Sequence, residues 1–178
     1  DLPRVNKIHV HRLLYSDGSV WIGTWANGAI CYNPKTGVYT QYTYKPEDAK
    51  KTLSHGDIYQ MVSLGDGRYL AATWNGYTVF IPDKEDPTRY TTEVYNNTAS
   101  QLHRNLETRM ISAYYDTEGI IWIGTQGGGV YASDLRKQFY QRFHQETHNE
   151  ICEMATDKNE YIWLATFHKG ILRSTEPF

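Results

Sequence analysis

No apolar run in this 178-residue chain approaches the roughly 18 residues that a membrane-crossing helix needs. No signal peptide opens it either, so the chain is expected to be cytosolic or to have lost a leader. Cysteine is scarce: Cys31 and Cys152 are the only two, and they read as small core residues that prescribe no redox compartment. Charge of one sign does not accumulate. The 18 Lys and Arg against 20 Asp and Glu leave a formal charge of −2, and without a basic stripe nucleic acid is excluded as a partner. Neither a G-x-S-x-G elbow nor a phosphate loop occurs, and nothing in the sequence calls for a cofactor. Aromatic residues, in contrast, make up 14% of the chain, with 15 Tyr and 5 Trp, and both types favour strands.

Those aromatics recur in a phrase. VWIGTWANG, residues 20–28, returns as IWIGTQGGG, residues 121–129, and more loosely as LAATWNG, residues 70–76, and WLATFHKG, residues 163–170. The four copies align on Thr24, Thr73, Thr125 and Thr166. Six residues earlier stand Gly18, Gly67, Gly119 and Glu160, and just upstream stand Asp17, Asp66, Asp116 and Asp157. Another glycine follows the threonine each time: Gly28, Gly76, Gly129 and Gly170. Strand-rich units repeating at roughly 40–50 residues mark a propeller array with one blade per repeat.

The predicted fold is all-β: four antiparallel blades of four strands each, the last incomplete, with first strands innermost. The chain 1–178 reads as a partial β-propeller with repeats at about 5–45, 55–96, 108–145 and 149–178. Expected strands are 8–15, 20–24, 29–32 and 38–44; then 58–64, 69–73, 77–81 and 90–95; then 110–115, 120–125, 130–133 and 139–143; and finally 151–155, 161–166 and 171–173. The Asp17-Gly18 pair between two apolar runs is a strong hairpin signal, because glycine accepts positive φ without a Cβ clash. The longer joints at 45–55 and 96–107 fall between blades, where insertions are cheap.

The phrase reads as packing code. A second strand of a blade is buried on both faces, so Trp21, Trp122 and Trp163 are expected to fill the space between blades. Gly23, Ala72, Gly124 and Ala165 leave room where blades crowd the axis. The threonine suits a strand end, where its hydroxyl can satisfy a nearby loop amide.

Catalytic and metal readings are weaker. His9 and His11 share a face of a strand and could form half a metal site, but no third ligand is signalled. His144-Gln-Glu-Thr-His148 has its glutamate in the wrong place for a zinc protease helix. The Asp-Gly turns are too short for a calcium loop. Glu85 and Asp86 sit in a Pro-containing turn and are expected to be solvated. His55, His103 and His168 complete the seven histidines. Propellers host many enzymes, so a secreted lyase or glycosidase acting on polysaccharide stays open beside a non-catalytic binding role.

DGSVWIGTWANGAICYNPKTGVYTQY and DTEGIIWIGTQGGGVYASD resemble the two-component regulator propeller repeat: a D-x-x-G turn, WIGT, a short loop with glycine, a tyrosine-containing strand and a final aromatic strand. The likeness covers almost the whole chain; LAAT, WLAT and Glu160 depart from it. Neither a Trp-Asp dipeptide nor a Gly-Gly doublet supports a WD or kelch repeat. The resemblance implies the periplasmic, extracytoplasmic sensor region of a membrane histidine kinase, often a hybrid two-component system of gut Bacteroidetes that responds to products of carbohydrate breakdown. It also implies seven-bladed propellers followed by a β-sandwich, a membrane helix and the kinase. A seven-bladed ring needs roughly 315 residues, so four copies are expected to form an open arc that self-associates or belongs to a longer chain. The rival is a closed four-bladed ring, which would bring Trp21 against the Trp163 blade or join Cys31 to Cys152.

The loops joining second to third strands emerge on one propeller face: Trp25-Ala26-Asn27, Trp74-Asn75, Gln126-Gly127-Gly128 and Phe167-His168-Lys169. Three open with an aromatic residue. Rings stack on the C–H face of a sugar while amides bond its hydroxyls. Trp25, Asn27, Trp74, Asn75, Gln126, Phe167 and His168 are therefore candidate ligand-binding residues, with an oligosaccharide as candidate ligand. Two other readings stand beside this one: the aromatics cap the inter-blade core, or they meet a neighbouring domain of the same sensor.

Overall fold

The computed structural model describes residues 8–48, 52–96, 109–134, 139–143 and 151–175, the stretch 139–143 by its backbone alone. His103, His144 and His148 lie outside the described residues, as does most of the 96–107 joint. Among the described residues, the strands are β1 (His9–Ser16), β2 (Ser19–Trp25), β3 (Ala29–Tyr32), β4 (Tyr39–Tyr42), β5 (Ile58–Ser63), β6 (Tyr69–Thr73), β7 (Gly76–Pro82), β8 (Tyr90–Tyr95), β9 (Met110–Tyr115), β10 (Ile121–Thr125), β11 (Val130–Asp134), β12 (Phe139–Phe143), β13 (Ile151–Thr156), β14 (Ile162–Thr166) and β15 (Gly170–Arg173). They form four antiparallel meanders in chain order, β1–β4, β5–β8, β9–β12 and β13–β15. These are sheets 1 to 4. No described helix is long and apolar enough to cross a membrane.

Turn chemistry fixes the meanders. Ser16 pairs with Ser19 around Asp17 (φ 51°) and Gly18 (φ 77°), the two positive angles of a tight hairpin turn matched to strand twist. Each threonine that anchors a repeat then closes the next loop. Its hydroxyl donates to the carbonyl of the following glycine, at 2.6 Å for Thr24–Gly28, 3.0 Å for Thr73–Gly76, 2.8 Å for Thr125–Gly129 and 2.9 Å for Thr166–Gly170. In three repeats the same hydroxyl also accepts a loop amide, from Asn75, Gly128 and Lys169.

The cores lie between sheets. Trp21 is fully buried with Tyr42 of sheet 1 and with Tyr69 and Phe80 of sheet 2, its ring 4.8 Å from each of the latter two. Trp122 is buried against Ile151, Met154 and Ile162 of sheet 4. Close approach depends on the small residue two places beyond each of these tryptophans. A Cβ on Gly23 would meet Ile58 Cγ2 at 2.8 Å, and one on Gly124 would meet Ile151 Cγ2 at 2.7 Å.

Trp163 departs from the expected burial. It occupies the same place in sheet 4, yet 38% of it is exposed, because no described sheet follows sheet 4. On sheet 1 the opposite face is open, with Leu13 68% exposed. The four sheets form an arc, not a closed ring. Trp21 packs on sheet 2, and no disulfide joins Cys31 to Cys152. Sheets 1 and 4 do meet at the axis, where Arg12 Nη2 stands 3.6 Å from Glu153 Oε2.

Candidate ligand site at the axial rim

The innermost strands β1, β5, β9 and β13 share a defect. In each sheet the register with the second strand slips at one residue, skipping His11, Tyr59, Ile111 and Cys152. A bulge of this kind bends the strand and re-aims the extra side chain. All four bulged residues line one pocket of about 400 Å³ at the axis. Arg12, Trp25, Trp74, Gln126 and Phe167 complete its wall. Each sheet thus contributes one bulged residue and one loop residue.

Neighbouring sheets hold the loops in place. The Ala26 amide donates to Asp57 Oδ1 at 2.6 Å and the Gly28 amide to Gly56 O at 2.9 Å, both across from sheet 1 to the entry of sheet 2. Within sheet 2 the Trp74 amide donates to Asp57 O, and within sheet 3 the Gln126 amide donates to Arg109 O. Gly28 and Gly76 are required here: both have positive φ, and a Cβ on either would collide with the carbonyl of Tyr42 or Tyr95.

The aromatic side chains are linked along the rim. His11 meets Trp25 and Tyr59 edge-on at 5.9 and 5.5 Å, and Trp25 meets Tyr59 at 5.9 Å. Tyr59 stacks beside Trp74 at 6.1 Å, and the Arg109 guanidinium lies 4.2 Å over the Trp74 ring. Trp25 is 46% and Phe167 66% exposed, while Trp74 is half-buried. Burial, with Asp57 nearby, pushes the Tyr59 phenol up, so Tyr59 presents a neutral hydroxyl at physiological pH. At the pocket edge Arg12 Nε donates to Tyr59 O at 2.8 Å, and Gln60 donates to Glu153 at 3.3 Å.

Of the residues singled out from the sequence, Trp25, Trp74, Gln126 and Phe167 come together in this pocket. Asn27, Asn75 and His168 do not line it. The Asn27 side-chain amide donates back to the Trp25 carbonyl, and the Asn27 backbone carbonyl accepts from Gln41. His168 lies beside Phe167. Sequence reasoning passed over Arg12, Tyr59 and Arg109, and it weighed His11 only as a metal ligand. Among the described residues no three His, Cys, Asp or Glu side chains converge as a metal site would need. The missed signal was alignment of the first strands, in which His11, Tyr59, Ile111 and Cys152 occupy equivalent positions.

No protein-family description matches the chain, and no curated protein does. Solved structures do. The chain is similar to the extracellular domain of BT4673 of B. thetaiotaomicron, assigned as a hybrid two-component system: TM-score 0.75, 18% identity, 99% of this chain and 22% of that one. A second likeness is to the extracellular domain of BT3049 of the same organism, also assigned as a hybrid two-component system: TM-score 0.65, 18% identity, 94% of this chain and 27% of that one. A third is to the β-propeller domain of Cps50 (Swd1) from Myceliophteria thermophila: TM-score 0.66, 12% identity, 95% of this chain and 54% of that one. At these identities the likeness shows the fold, that of β-propeller blades. The chain spans about a quarter of the two bacterial extracellular domains.

Proposed function

We propose that this chain is a non-catalytic, ligand-binding segment of the extracytoplasmic sensor region of a two-component histidine kinase, and that its axial pocket takes an oligosaccharide. The observation that carries this reading is the convergence of four loop residues and four bulged residues on one aromatic-walled pocket. Trp25 and Phe167 keep ring surface open there, and Gln126 adds an amide. The WIGT repeat and the likeness to two bacterial sensor ectodomains support the same assignment.

Under this reading further blades complete the propeller. Trp163 of sheet 4 and Leu13 of sheet 1 are exposed at positions where the internal interfaces bury Trp21 and Met61. A further blade of the same repeat fits both faces; isolated, the arc would self-associate through them. The polysaccharide-enzyme reading has no observation of its own. The best-placed carboxylates, Asp116 and Asp157, each accept an indole N–H, from Trp122 at 2.7 Å and from Trp163 at 2.9 Å.

The test is binding of an oligosaccharide panel by the complete ectodomain, with Trp25→Ala and Trp74→Ala compared against the parent. Loss of binding in both variants is expected. Binding unchanged by either substitution, or turnover of a glycan abolished by a single point change, would overturn the proposal.

A further inference from the structure

We infer that the saccharide taken by the axial pocket is anionic, its carboxylate or sulfate held by Arg109 at the pocket edge; this rests on the saccharide-binding reading of the same site. The charge balance points that way. Arg12 lines the pocket, whereas none of its lining residues is Asp or Glu. The nearest carboxylates are already engaged. Glu153 faces both Arg12 and Gln60. Asp57 accepts the Ala26 amide and stands 3.6 Å from His55 Nδ1.

Arg109 is differently placed. It is exposed, and its guanidinium lies over the Trp74 ring with Gln126 Oε1 as a neutral partner at 3.2 Å. Gln126 itself lines the pocket, so the guanidinium sits beside it. A guanidinium carries five N–H donors in a planar fork, and the bond to Gln126 uses one of them. The fork matches two oxygens of a carboxylate or sulfate, and such charge-assisted bonds are about twice as strong as neutral ones. The bland alternative is that Arg109 only braces Trp74 through a cation–π contact. Bracing gives no preference for charge in the ligand, and that is where the two readings part.

The experiment is calorimetric titration of the complete ectodomain with trigalacturonate, its fully methyl-esterified form and a sulfated galactose trisaccharide, at low and at physiological salt. An anionic saccharide is expected to bind about ten-fold or more tightly than the neutral ester, with the gap narrowing as salt rises. Arg109→Gln should bring the affinity for the acid down towards that of the ester, and Arg109→Lys should restore part of the gap. Arg109 is exposed, and circular dichroism of each variant checks the fold. Tighter binding of the sulfated sugar identifies sulfated glycans as the source, and tighter binding of trigalacturonate identifies uronates. An ester bound as tightly as both anionic sugars, or an acid-to-ester ratio unmoved by Arg109→Gln, overturns the inference but leaves saccharide binding standing. No binding of any probe overturns both.

Discussion

Trp21 and Trp163 stand at the same point of their sheets, three residues before the rim threonine, and both follow an Asp-containing turn. Trp21 is fully buried; Trp163 is 38% exposed. Their strands differ likewise. In β2 Trp21, Gly23 and Thr24 are buried, and every residue of β10, the strand of Trp122, is; in β14, IWLAT, Ile162 alone is. What differs is the neighbour. Trp21 and Trp122 each have a following sheet to pack on, and Trp163 has none among the described residues. Their polar ends differ too. Asp116 and Asp157 accept the indole N–H of Trp122 and Trp163, but Asp17 accepts Tyr69 Oη at 2.7 Å instead, and Trp21 Nε1 is left buried without a described partner. Burial at this position therefore comes from the array, while the turn-to-indole bond is local and survives exposure.

The strongest way to break this comparison is to truncate both indoles. Trp21→Ala should cost about 3–5 kcal/mol, the usual range for a fully buried aromatic. Trp163→Ala should cost about 1 kcal/mol or less, as at a surface position. Urea unfolding of the two variants measures the gap, and equal losses would contradict it. The small residues sharpen the same contrast. Gly124→Ala drives a methyl into Ser112 and Ile151 and should cost about 1–3 kcal/mol as overpacking. Ala165→Val, at the matching place in sheet 4, should stay within about 0.5 kcal/mol.

The turns offer a smaller contrast. Glu160 adopts φ 65° where Gly18, Gly67 and Gly119 stand in the other repeats. A side chain in the left-handed region costs about 1–2 kcal/mol, so Glu160→Gly should stabilise the chain by about 1 kcal/mol and Gly119→Glu should destabilise it by a similar amount. Thermal unfolding of both variants checks the opposite signs.

The smallest expected effect is with pH. The Trp163 indole N–H holds the Asp157 carboxyl below its ordinary range, as Tyr69 and then Ser16 do for Asp17. A carboxyl with a depressed folded-state pKa adds stability above its unfolded value, about pH 4. That contribution is lost as pH falls through the lower folded value. Asp157→Asn should flatten the acid limb of the stability curve slightly; an unchanged limb would mean that this bond carries no linkage.

Much of the architecture was legible because the repeat states each rule several times. The bounds of β3, β6, β8, β9 and β12 coincide with the expected ones, and turn glycines with alternating apolar residues are local signals. β4 came out shorter than expected, since the Asn33 amide bonds Val38 O and keeps Val38 in the turn. At the site, Trp25, Trp74, Gln126 and Phe167 were legible as loop residues after a threonine. His11, Tyr59 and Arg109 were not. Bulges are set by how two strands pair, and no single strand reveals which residue its partner skips.

The sequence by itself determined the meander, its turns and the residue that heads each loop, because those depend on φ preferences and on partners a few residues away. Only the tertiary structure decided which tryptophan is core and which is surface, and which side chains share the pocket. Those depend on residues some fifty positions apart being brought to one axis, and on whether another sheet lies against the face in question.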